Sequence, residues 1–370
     1  MAACVPPGEA PRSASGTPTR RQVTIVRIYL DGVYGIGKST TGRVMASAAS
    51  GGSPTLYFPE PMAYWRTLFE TDVISGIYDT QNRKQQGNLA VDDAALITAH
   101  YQSRFTTPYL ILHDHTCTLF GGNSLQRGTQ PDLTLVFDRH PVASTVCFPA
   151  ARYLLGDMSM CALMAMVATL PREPQGGNIV VTTLNVEEHI RRLRTRARIG
   201  EQIDITLIAT LRNVYFMLVN TCHFLRSGRV WRDGWGELPT SCGAYKHRAT
   251  QMDAFQERVS PELGDTLFAL FKTQERVSPE LGDTLFALFK TQELLDDRGV
   301  ILEVHAWALD ALMLKLRNLN VFSADLSGTP RQCAAVVESL LPLMSSTLSD
   351  FDSASALERA ARTFNAEMGV

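Results

Sequence analysis

The run Gly32-Val33-Tyr34-Gly35-Ile36-Gly37-Lys38-Ser39-Thr40 constrains the fold more than any other part of the chain. It satisfies G-x-x-x-x-G-K-[ST], with a β-branched apolar run at 23–30 before it and a helical stretch at 41–49 after it. Strand, glycine-rich turn and helix in that order point backbone N–H groups at one spot, at the positive end of a helix dipole, and so build a phosphate site. Gly32, Gly35 and Gly37 let the backbone close on phosphate oxygens. Lys38 is placed to reach the β- and γ-phosphates, and the Ser39 hydroxyl, with Thr40 beside it, to ligate Mg²⁺. At average residue frequencies the bare pattern arises by chance in roughly one chain per hundred of this length. The loop alone does not say whether water, a protein or a small molecule receives the phosphoryl group.

Further compact apolar runs at 55–58, 133–137, 179–183 and 321–325 end near polar or turn residues, as buried parallel strands do. Helical periodicity fills the gaps, for example at 92–104, 203–225 and 307–316. Strands alternating with helices predict an α/β fold, a doubly wound parallel sheet with its site at the carboxyl ends of the strands. Residues 1–21, rich in Pro, Gly, Ala, Ser and Thr, read as a disordered leader, and 22–370 as one elaborated domain. Residues 256–273 are repeated letter for letter at 274–291. Ser260–Pro261 and Ser278–Pro279 would each start a short helix, so each copy is expected to form its own helix, with the extra copy extruded on the surface.

Composition narrows the remaining classes. The chain has 45% apolar residues, a net charge of −2 and a mean hydropathy near zero. Nothing in that balance points to nucleic acid or a membrane surface, so any anion must be met by local basic clusters. The seven cysteines are scattered, without a C-x-x-C pair, which argues against a disulfide framework or zinc site. The longest apolar run, 158–170, falls short of a membrane span, and the N-terminus has no apolar signal core. A soluble, intracellular protein is expected.

Three stretches bear on the acceptor. Glu60 stands between Pro59 and Pro61 at the end of the second run, placed to take a proton from an attacking hydroxyl or simply to solvate a turn. Asp138-Arg139-His140 closes the third run. Asp138 reads as a partner for Mg²⁺ or as a helix cap, Arg139 as charge where negative charge accumulates, and His140 as a residue hydrogen-bonded to structure. After the fourth run, Arg192 and Arg196 share a helical face with Arg198 just beyond, a like-charge arrangement that ATP phosphates would turn into a lid. Among Tyr64, Trp65, Tyr78, Tyr101, Phe105 and Phe148 a flat heterocycle could stack, with Gln102 at its edge. The alternatives are a different phosphate acceptor or a regulatory NTPase. No N-K-x-D guanine signature supports the latter.

Together the segments DGVYGIGKST, FPEPMAYWR, LVFDRHP, FPAARYLLG, RTRARIGE, WRDGWG, GDTLFALF and ARTFNAEMG resemble the thymidine kinases of alphaherpesviruses. The resemblance implies a P-loop kinase fold with a five-stranded parallel sheet flanked by helices. It also implies a homodimer in the host cell cytoplasm or nucleus, and transfer of the γ-phosphate of ATP to the 5′-hydroxyl of thymidine. Deoxycytidine, thymidylate and nucleoside analogues are implied as further substrates. Carried over by position, Glu60 is the base and Arg139 lies beside the reacting hydroxyl. Gln102 pairs with the thymine edge, between Phe105 and Phe148. Trp65, Ile74, Ile77 and Tyr78 form the pocket, Arg152 sits near the base, and Glu201 meets the sugar 3′-hydroxyl. Arg192, Arg196 and Arg198 are lid arginines. Tyr34, Phe105 and Phe148 stand where the family pattern has histidine, methionine and tyrosine, and the second copy of the repeat also departs from that pattern.

Overall fold

A computed structural model describes residues 22–47, 53–120, 125–128, 130–196, 203–240 and 279–370. The leader, Arg198, Glu201, the first copy of the repeat and Ser278 lie outside the described residues. Five parallel strands form the sheet in the order β2-β4-β1-β5-β6, where β1 is Gln22–Asp31, β2 Thr55–Phe58, β4 Leu133–Asp138, β5 Gly177–Thr183 and β6 Asn320–Asp325. All five apolar runs of the sequence are these strands, and the five-stranded parallel sheet is as expected. Two antiparallel strands were not foreseen. β7 (Ser345–Asp350) pairs with the first half of β1, Gln22 opposite Asp350, and β3 (Leu125–Arg127) pairs with β7. β5 takes over beside β1 from Arg27 onward.

The sheet is buried on both faces because its strands are apolar at consecutive positions. In β1, Ile25 and Tyr29 enter one core while Val26, Ile28 and Leu30 enter the other. The larger core lies against α4 (Phe148–Leu154), α5 (Met160–Thr169), α7 (Ile205–Arg226) and α8 (Glu303–Arg317). The smaller lies under α1 (Lys38–Ser47) and α9 (Pro330–Glu338). Each fully buried Leu, Ile or Phe contributes on the order of 1.5–3 kcal/mol of burial. α7 is long and apolar enough to cross a membrane by length and composition, yet 61% of its apolar window is buried within the fold.

Two expectations are corrected. The helix expected at 92–104 is α3, Val91–Thr118, and runs through Pro108, whose missing N–H removes one helical hydrogen bond without ending it. The second copy of the repeat is neither an α-helix nor extruded. Its described part, 279–291, forms 3₁₀ turns at Leu281–Asp283 and Leu285–Phe289, and Leu285, Phe286, Leu288 and Phe289 are fully buried. Tertiary hydrogen bonds replace helical ones: Leu285 N donates to Thr221 Oγ1 at 2.9 Å and Asn220 Nδ2 to Asp283 O at 3.2 Å. The indole rings of Trp231 and Trp235 meet edge to face at 4.9 Å, Trp231 stacks on Phe286, and Lys290 caps the Trp235 carbonyl.

Candidate active site

The phosphate loop joins β1 to α1 with Gly32, Gly35 and Gly37 at φ 120°, 82° and 110°. A Cβ on Gly35 would lie 2.2 Å from Leu193 Cδ2, so this position is closed to other residues by packing as well as by backbone conformation. Lys38 Nζ donates to Val33 O at 2.7 Å and Gly32 O at 3.4 Å. Burial first, and then the Arg139 charge, lower its pKa to about 7. A bound polyphosphate would oppose both effects and hold the amine charged.

α6 (Val186–Arg196) closes over this loop. Arg192 donates to Ile36 O at 2.8 Å, and His189 Nε2 lies 2.7 Å from Tyr34 O. Arg191 and Arg192 both pair with Glu188, at 2.6 and 2.7 Å. One cavity is bounded by Gly35, Gly37, Lys38, Ser39, Thr40, Arg191, Arg192 and Arg196, and its remaining wall includes Tyr34, Glu60 and Arg139. Of the predicted phosphate ligands that are described, all but Gly32 line this cavity.

The turn Asp138-Arg139-His140 supplies the floor. Asp138 Oδ2 accepts from Ser39 Oγ at 2.5 Å and Tyr57 OH at 3.0 Å, while Asp138 Oδ1 is buried without a hydrogen-bond partner. Burial, and then the Glu60 carboxylate, hold the Asp138 carboxyl above its ordinary pKa. Arg139 is the one non-glycine described residue with positive φ, at 84°. A side chain in this region costs about 1–2 kcal/mol, and the neighbours offset it. Arg139 Nε donates to Glu60 Oε1 at 2.8 Å and NH1 to Gly32 O at 2.6 Å. Arg139 NH1 also reaches Asp31 Oδ1 at 3.4 Å.

A second cavity opens on the other side of Tyr34, Glu60 and Arg139. Trp65, Ile74, Ile77, Tyr78, Gln102, Phe105 and Phe148 line it. These residues come from a π-turn at Tyr64–Leu68, from α2 (Val73–Gln85), from α3 and from the start of α4. Gln102 Nε2 donates to Ser144 O at 2.9 Å, leaving its carbonyl oxygen and second N–H as a donor–acceptor pair at the wall. Arg139 lies 5.1 Å above the Phe148 ring.

Three expected residues lie elsewhere. Arg152 does not line the cavity, and its guanidinium pairs with Asp157 at 3.2 Å. The Tyr64 hydroxyl donates to Glu367 at 2.5 Å, and the Tyr101 ring packs on Gly76. Sequence reasoning also missed residues that the site uses. Asp31 Oδ1 accepts from Gly32 N at 2.9 Å and Tyr215 OH at 2.6 Å, and Asp31 Oδ2 from His140 N at 3.2 Å. An aspartate ending an apolar run was the available signal for Asp31. Tyr215, an aromatic in an apolar helix, gave none.

The family model described as thymidine kinase from herpesvirus matches residues 32–280 and 272–326, two stretches that overlap at the junction of the two repeat copies. The thymidine kinase of Equine herpesvirus 4 (strain 1942) is 95% identical over 370 residues, with all of both chains covered. That of Equine herpesvirus 1 (strain Ab4p) is 85% identical over the same span. A crystal structure of EHV4-TK complexed with Thy and ADP superposes with a TM-score of 0.85, at 94% identity over 94% of this chain and 99% of that one. The phosphate loop, the lid helix and the apolar cavity described above thus sit in a chain that belongs to the herpesvirus thymidine kinases.

Proposed function

We propose that the two cavities hold the two substrates of thymidine phosphorylation head to head, with Tyr34, Glu60 and Arg139 at the boundary where the phosphoryl group crosses. The observation that carries this reading is that these three side chains border both cavities. The activity itself, transfer from ATP to thymidine, is that of the family. Loop amides, Lys38, Arg192 and Arg196 bind the ATP phosphates, with Arg198 as a further candidate. Thymine lies in the apolar cavity against Trp65, Ile74, Ile77, Tyr78, Phe105 and Phe148. Its N3–H and O4 match the carbonyl oxygen and N–H of Gln102. Glu60 takes the proton of the 5′-hydroxyl, and Arg139 orients that carboxylate and faces the charge that develops in phosphoryl transfer.

Mg²⁺ fits the residues present. Asp138 Oδ1 is a buried oxygen without a partner beside the Ser39 hydroxyl, and hard oxygen donors suit this ion. When bound, Mg²⁺ supplies charge neutralisation between the phosphates. Deoxycytidine, thymidylate and nucleoside analogues are proposed as further acceptors, since the cavity wall is mainly apolar and aromatic.

A homodimer is supported by one face of α8, where Val304, Trp307 and Leu314 are 61%, 61% and 49% exposed. Trp307→Asp should sediment as a monomer if that face is the contact.

ADP release from ATP–Mg²⁺ tests the central reading. It should require thymidine, and nucleoside-independent release at the same rate would overturn the assignment.

A further inference from the structure

The turn that carries Arg139 rests on a second buried carboxylate, one that borders neither cavity. Glu173 lies between α5 and β5 and is 2% exposed. Its Oε1 accepts from Arg27 NH1 at 2.6 Å and from the Tyr29 hydroxyl at 3.3 Å. Its Oε2 meets His113 Nε2 at 2.6 Å and His140 Nε2 at 3.1 Å. Arg27 is tied down further by the Pro174 and Gln175 carbonyls at 3.1 and 2.7 Å.

Although ligand atoms of His113, His140 and Glu173 lie within 4.8 Å of one another, the cluster is poorly suited to a metal ion. A cation there would face the fully buried Arg27 guanidinium, and both carboxylate oxygens are already taken.

The geometry instead fixes one tautomer of His140. Val142 N donates to His140 Nδ1 at 3.0 Å, so the ring proton is on Nε2 and points to Glu173 Oε2. The Tyr29 ring meets the imidazole edge to face at 4.7 Å, and His140 N donates to Asp31 Oδ2 at 3.2 Å. His140 is therefore held at its backbone nitrogen and at both ring nitrogens. Immediately before it, Arg139 N donates to Leu30 O at 3.1 Å. The left-handed φ of Arg139 persists because the residues on either side leave the chain no relaxed path between them.

We propose that Glu173 and His140 are positioning residues for the transfer: Glu173 fixes the His140 ring, and the ring locks the turn that presents Arg139 to Glu60. This rests on the roles given above to Glu60 and Arg139. The product of sequence distance and burial hid it, since Glu173 lies 146 residues from Arg27 and 33 from His140.

The test pairs nitrogen NMR with kinetics. In the wild-type protein, the ¹⁵N signals of His140 should show Nε2 protonated and Nδ1 bare. A protonated Nδ1 overturns the proposal with no variant needed. Glu173→Gln should lower kcat at least tenfold, about 1.4 kcal/mol of transition-state stabilisation, with thymidine KM within threefold. Glu173→Gln/Arg27→Met removes the charge that the single change leaves unpaired, and should show the same split in a protein that still melts cooperatively. A folded double variant with kcat within twofold of wild type overturns the proposal, as does a loss shared equally with KM. Glu60→Gln, assayed alongside, separates the two layers: if it too is unimpaired, the reaction assignment fails and not merely the positioning.

Discussion

The two cavities meet at three side chains yet are built in opposite ways. Half of the phosphate cavity's lining falls between Tyr34 and Thr40, and a single helix supplies four more residues. The nucleoside cavity gathers residues from 34 to 207, contributed by loops, the π-turns at Tyr64–Leu68 and Ala143–Cys147, and several helices. A ligand held by backbone amides demands fixed spacing and particular φ values, and spacing is written directly into a sequence. A ligand held by side-chain faces demands only that the right surfaces meet after folding. Many sequences satisfy that demand, and none announces it.

The contrast can be broken in order of severity. Gly35→Val should be the harshest change, since the new side chain needs a positive φ and the space of Leu193. Activity should fall more than about 10³-fold, as several aligned donors are lost together, and a steady-state assay with tenth-normal rates would contradict the backbone account. Glu60→Gln removes the proposed base where the cavities join. It should lower kcat by at least about 10²-fold, and wild-type turnover would show that the proton leaves by another route. Gln102→Leu belongs to the nucleoside side alone. It should raise thymidine KM by roughly 10- to 50-fold through the lost hydrogen bonds, while the KM for ATP stays within twofold. Equal effects on both substrates would mean that the two cavities are not separable.

The mildest change concerns the repeat. Removing one copy should leave kcat/KM for thymidine within threefold, because 279–291 borders neither cavity. A change beyond about tenfold, roughly 1.4 kcal/mol, would tie the repeat to the site.

The same logic explains what the sequence made visible. The central strands β1, β4 and β5 were legible because each is mainly apolar at successive positions and buried on both faces. β7 was not, because Ser-Ser-Thr-Leu-Ser-Asp carries no apolar run, yet most of it is buried. Its surroundings are polar contacts: Asn178 Nδ2 donates to Ser345 O at 2.8 Å, and Ser345 N to Asn178 Oδ1 at 3.0 Å. Lys38, Ser39 and Asp138 were readable from residue type and position in the loop and at a strand end. The roles of Ile74 and Ile77 came from resemblance alone, since an apolar residue facing a cavity and one facing the core look alike in periodicity. Asp31, Tyr215 and Glu173 belong to networks that only tertiary proximity assembles.

Letter-for-letter duplication has a folding consequence as well. The contacts that bury Leu285, Phe286, Leu288 and Phe289 depend on residue identity, and Leu267, Phe268, Leu270 and Phe271 carry the same identities. The docking groove under α7 therefore cannot tell the two copies apart by side chain. Two threadings of one chain differ chiefly in which side of the docked segment carries the spare eighteen residues. Loop closure distinguishes such threadings weakly, at about 0.6 kcal/mol per doubling of length. Two near-degenerate basins that share one core are the expected outcome, and a copy-specific substitution such as Phe286→Ala should favour the threading in which the unmutated copy docks.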